Sequence, residues 1–150
     1  MLMQKAEIAR LIPHAGAMCL LDTVLDWDGT RIRCAATSHR DMGNPLRRSG
    51  RLGILCGVEY AAQAMALHGS LASVGAGVAG SAPAGAGYLA SVRDLACHID
   101  RIDLLGGMLM VEAERLHGDS ERAIYGFALR HDERVLLDGR AAVVLKAAAR

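Results

Sequence analysis

The chain has 150 residues, 52% hydrophobic and 22% charged, with a net charge of +1. That suits one globular domain, predicted here to span residues 1–150, and argues against a partner held by bulk charge such as nucleic acid. No apolar run reaches the ~18–20 residues of a membrane span, and the N-terminus MLMQKAEIARLIPHAG lacks the pattern of a signal peptide, so a cytoplasmic protein is expected.

In chain order, a short amphipathic helix is predicted at Gln4–Leu11, stopped by Pro13. Ala17–Leu25 reads as a strand, Asp28-Gly29 as a turn, and Arg31–Thr37 as the returning strand of a hairpin. Ser38–Gly53, rich in turn formers and with four arginines between Arg40 and Arg51, is an irregular connection. Ile54–Val74 is the one long helix, with Leu55, Val58, Ala62, Met65 and Ala72 along an apolar side. The Gly/Ala-rich GAGVAGSAPAGAG that follows is expected as a surface loop. It lacks the Gly-Lys-Ser/Thr ending of a phosphate loop.

Strand-like runs then succeed one another at Gly87–Asp94, Ala96–Ile102, Met108–Leu116, Arg122–Arg130 and Val135–Leu145. Helices do not alternate with them, so a doubly wound parallel sheet is disfavoured. The simplest architecture is α+β, an antiparallel sheet wrapped around one helix. Cys19, Cys34, Cys56 and Cys97 form no CxxC pair and are expected as buried thiols; neither a metal nor another cofactor is called for.

One residue resists a purely structural account. Glu59 heads the alanine-rich stretch GVEYAAQAMALHG, with Gln63 one turn further on the same face. It is either a solvent-facing residue favoured by the helix dipole or a cleft carboxylate suited to proton transfer. Arg47, Arg48 and Arg51 crowd the preceding loop, as a solvated basic turn or as a surface for an acidic partner.

Two segments, LIPHAGAMCLLDTVLDWDGTRIRCAAT and NPLRRSGRLGILCGVEYAAQAMALHG, resemble the beta-hydroxyacyl-acyl-carrier-protein dehydratases, and in particular a divergent branch associated with aryl polyene pathways. Ile12-Pro13-His14, Leu20-Leu21-Asp22 and Glu59…Gln63 carry the likeness. The resemblance implies the hot dog fold, a dimer with sites at its interface, and a 3-hydroxyacyl thioester substrate on an acyl carrier protein. It also implies that Glu59 is catalytic, with Gln63 beside the substrate.

The family's catalytic histidine sits in a Gly-His-Phe-Pro loop ahead of the helix, and here Asn44 to Gly57 contains no histidine. His14, which matches a family position, and His39, just before the loop, are the candidate replacements. His68 lies nine residues beyond Glu59, about 13 Å along the helix and on its opposite face, so it cannot pair with Glu59 within one chain. Backbone N–H groups near Ile54 and Leu55 are placed to polarise a thioester carbonyl. The same fold would also serve a thioesterase, or a non-catalytic partner that binds acyl carriers or completes a heterodimer.

Overall fold

The computed structural model describes residues 3–12, 16–75, 88–119 and 121–144. The chain forms β1 (Met3–Gln4), α1 (Lys5–Leu11), β2 (Thr23–Trp27), β3 (Arg31–Ala36), α2 (Cys56–Gly75), β4 (Tyr88–Cys97), β5 (Leu109–Gly118), β6 (Arg122–His131) and β7 (Arg134–Val144). All strands join one antiparallel sheet in the order β1-β2-β3-β5-β6-β7-β4. This is the expected sheet wrapped around one long helix.

The wrap follows from strand periodicity. Leu109, Val111 and Ala113 on β5 and Ala123, Tyr125, Phe127 and Leu129 on β6 alternate inward, with less buried neighbours outward. α2 packs across β3, β5 and β6, and the helix comes close because its contact residues are small. Ala61 and Ala64 are fully buried, and a Cβ on Gly57 would lie 2.8 Å from Leu129 Cδ2 and 2.9 Å from Leu137 Cδ2. Each large aliphatic side chain buried in this core contributes about 1.5–3 kcal/mol.

Several expectations are corrected. Ala17–Leu25 is a strand only from Thr23; a 3-10 turn at Gly16–Met18 precedes it. Gly16 is left-handed (φ 58°), and Gln63 bonds the Met18 carbonyl and Leu20 N–H, which draws this segment toward the helix. The two strands expected within residues 87–102 are one, β4. Its register shifts between Arg93 and Ala96, beside a left-handed Asp94 (φ 54°). Residues 98–102 instead knit to other segments, through His98 N–H to the Leu136 carbonyl and Ile102 N–H to the Leu52 carbonyl.

Along α2, the fully buried residues are Tyr60, Ala61, Gln63, Ala64, Leu67 and His68, with Met65 essentially so. The stripe of Leu55, Val58, Ala62 and Ala66 is instead the more open side, with Leu55 63% exposed. A helix apolar nearly all round gives no sequence signal for which side the sheet takes. Of the cysteines, Cys19 and Cys34 are buried and Cys56 is half-buried, whereas Cys97 is exposed on β4. The Gly/Ala-rich stretch from residue 76 onward lies outside the described residues.

Candidate functional site around the start of the central helix

Glu59 lies in the first turn of α2, half-buried, on the open stripe that also carries Leu55, Val58, Ala62 and Ala66. Leu55 is one helical turn before it on the same face. The helix opens with short-range bonds, Cys56 N–H to Gly53, Gly57 to Ile54 and Val58 to Leu55. Ile54 N–H donates to the Asp100 carbonyl at 2.9 Å, so it is engaged within the protein rather than free for a substrate. Leu55 N–H makes no hydrogen bond among the described residues, leaving one donor at the positive end of the helix.

The loop before the helix is held by cross-links that sequence reasoning missed. Asp103, its side chain only 4% exposed, accepts from Leu52 N–H at 3.0 Å and from Arg101 Nε at 2.9 Å and Nη2 at 2.5 Å. The Arg101 hydrogen bonds, aided by Leu52 N–H, hold its carboxyl well below the usual range. Arg47 is turned inward, its side chain 9% exposed. It donates to the carbonyls of Asp41, Gly50 and His39 and faces Asp103 at 3.8 Å. It therefore braces the loop instead of meeting a partner at the surface. Arg48 and Arg51 flank a tight turn in which Ser49 and Gly50 are both left-handed, and this pair keeps a place at the surface.

A second knot ties the loop to the helix. The Tyr60 hydroxyl lies 2.8 Å from Ser38 Oγ, which donates to the Leu20 carbonyl, and it accepts from Asn44 Nδ2 at 3.2 Å. Gln63 is fully buried, with Oε1 accepting from Leu20 N–H and Nε2 donating to the Met18 carbonyl. Both ends of its amide are thus engaged in positioning the chain ahead of β2. Asp22, the last residue of the Leu-Leu-x-Asp-like motif, accepts from Thr37 N–H and Oγ1 and anchors the end of β3.

The candidate histidines fare differently. His14 lies outside the described residues. His39 is fully buried, with Nε2 3.0 Å from the Leu105 carbonyl; that bond requires the proton on Nε2, and Nδ1 has no partner among the described residues. His68 is also fully buried. Its Nε2–H donates to the Asp28 carbonyl at 2.8 Å, so Nδ1 accepts from the Tyr125 hydroxyl at 2.7 Å. That residue joins α2, the hairpin turn and β6, and takes no part in the cleft. His98 pairs with Asp138 at 3.1 Å, and His131 bonds the Gly106 carbonyl.

Burial lowers the pKa of both His39 and His68, chiefly by desolvation of the charged ring. The unfolded chain therefore binds protons that the folded chain refuses. Stability is retained above the unfolded histidine value of about 6.5 and falls as pH drops below it. A melting temperature that declines between pH 7 and pH 5, with a shallower decline in His68→Gln, is the expected result in thermal denaturation. A pH-independent melting temperature over that window would contradict it. The Asp103 contribution is lost only in stronger acid, below the ordinary aspartate value, so the two effects separate.

Among the described residues no helix is long and apolar enough to cross a membrane, and no group of three potential metal ligands occurs. No match is found among the curated proteins. Of solved structures, the dehydratase heterocomplex ApeI:P from Xenorhabdus doucetiae aligns with TM-score 0.80 and 23% identity, covering 93% of this chain and 90% of that one. A thioesterase from Haemophilus influenzae aligns at 0.67 and 12%, covering 99% and 94%. A hypothetical thioesterase with coenzyme A from Streptococcus pneumoniae aligns at 0.58 and 8%, covering 85% and 88%. These likenesses identify the hot dog fold. Residues 6–149 match the model of the ApeP-like family, described as ApeP dehydratase, and the chain belongs to that dehydratase family.

Proposed function

We propose that this dehydratase-like protein removes water from 3-hydroxyacyl thioesters carried on an acyl carrier protein. The observation that carries the reading is a half-buried carboxylate one turn beyond an N–H that is unbonded among the described residues, at the start of the central helix. Dehydration takes a proton from the carbon alpha to the thioester and expels the beta hydroxyl as water, which takes a base, an acid and a donor for the enolate oxygen. Glu59 is one proton-transfer group, and Leu55 N–H is the donor. The second proton-transfer group is a histidine. His14 is the first choice, because the imidazole N–H of His39 is held by the Leu105 carbonyl. Neither metal nor cofactor enters this chemistry.

Arg48 and Arg51 are the proposed contacts for the acidic carrier, since Arg47 is engaged inside the loop. Arg48→Glu/Arg51→Glu is expected to weaken carrier binding roughly tenfold at low salt, mainly through a slower on-rate, and the difference from the unaltered protein is expected to vanish at high salt. Unchanged affinity at low salt would remove these arginines from the docking surface.

A second subunit is proposed to add at β4. Among the described residues the sheet ends in β1, of two residues, and β4, of ten, which makes β4 the long edge there. The partner is either another copy or an active dehydratase. The solved relative being a heterocomplex favours a second reading, in which this chain completes a partner's site.

Incubation with a 3-hydroxyacyl carrier thioester, followed by mass spectrometry, separates the readings. Loss of water supports dehydration. Free acid supports a thioesterase of the same fold. No change in the acyl group overturns independent catalysis in favour of the partner role.

A further inference from the structure

The outer face of the sheet carries a charge arrangement that neither fold nor cleft requires. Arg93 on β4 and Arg140 on β7 are directly paired across the ladder. Like charges placed opposite each other on one face destabilise a sheet. The strand on the other side of Arg140 offers no relief, because its partner on β6 is Gly126. The next acid in that row, Glu114 on β5, is two strand spacings from Arg140, about 9–10 Å. Neither arginine makes an ion pair or hydrogen bond among the described residues. Asp94 lines the same surface depression as both arginines but forms no ion pair with either among the described residues.

The two guanidinium groups border this depression of about 380 Å³, also lined by Ser91, Asp94, His117, Ile124, Ala141 and Ala142. Ser91 and His117 add a hydroxyl and an imidazole, both exposed, while Ile124 and Ala142 supply an apolar floor. The volume falls at the lower end of small-molecule sites. Two guanidinium groups with a hydroxyl and an imidazole suit a tetrahedral dianion with several acceptor oxygens. We propose that this depression binds an organic phosphate, its phosphoryl group between Arg93 and Arg140 and its organic portion over Ile124 and Ala142. The site is separate from the Glu59 cleft, since these residues lie on the sheet face turned away from α2.

Thermal unfolding at constant ionic strength tests this with adenosine monophosphate, inorganic phosphate and adenosine as probes. Adenosine monophosphate is expected to raise the melting temperature of the unaltered protein more than phosphate does, and adenosine is expected to have no effect. Without probe, Arg93→Gln and Arg140→Gln are expected to melt higher than the parent, because each relieves the repulsion. In Arg93→Gln/Arg140→Gln the nucleotide response is expected to vanish, with calorimetric affinity at least roughly tenfold weaker. An equal response in parent and double variant would reduce the effect to general salt stabilisation and overturn the site. Equal shifts from phosphate and nucleotide would overturn the organic portion. An adenosine shift matching the nucleotide's would overturn the phosphoryl contact.

Discussion

Glu59→Gln is expected to lower the rate of water loss from a 3-hydroxyacyl carrier thioester by about 10²–10⁴-fold, the usual contribution of a positioned proton-transfer group. The substitution keeps the size and reach of the side chain and removes its charge and its ability to exchange a proton. Glu59 is half-buried on the open stripe of α2, outside the packed core, so the fold should tolerate the change. The loss should fall on turnover, with carrier affinity little altered, because the proposed carrier contacts are Arg48 and Arg51. Single-turnover mass spectrometry with a parallel melting curve separates these effects. Full activity in a folded Glu59→Gln protein would remove Glu59 from the chemistry.

His68→Ala is expected to be the most damaging change to stability. The ring is fully buried and is the shared partner of the Tyr125 hydroxyl and the Asp28 carbonyl. Its removal leaves the buried Tyr125 hydroxyl unsatisfied, at ~1–3 kcal/mol, unties the Asp28 carbonyl, and opens a cavity against the edge-on Tyr125 ring. A total of about 3–5 kcal/mol corresponds to a fall in melting temperature of roughly 10 °C for a domain of this size. A shift under about 2 °C would show that the junction between helix and hairpin is held by other contacts. His68→Gln, which keeps a donor and an acceptor, should recover part of the loss.

The layer architecture was legible because hydrophobic alternation and helical period are local signals, and here they agree with the global fold. Turn residues marked the first hairpin correctly: Asp28 caps it through the Thr30 and Arg31 N–H groups. What stayed hidden is non-local. Nothing near Asp103 in sequence announces that it receives Leu52 N–H, and nothing in an exposed-looking arginine triplet marks Arg47 as the inward one. Ser38, Asn44 and Tyr60 were likewise unremarkable until the fold brought them to one hydroxyl. Glu59 stood out because a carboxylate among alanines is locally anomalous. Gln63, noticed only beside it, is a backbone clamp whose partners lie some forty residues upstream.

The strand order also sets a schedule for folding. β5, β6 and β7 are hairpin neighbours, and their contacts close within short lengths of chain. The ladder between β3 and β5 joins Cys34 to Val111 across all of α2 and β4, so its loop-closure cost comes before any reward in burial. The C-terminal meander is therefore the natural nucleus. On this ordering the N-terminal hairpin is expected to dock late, and with it the Met18–Leu20 segment that Gln63 clamps to the helix.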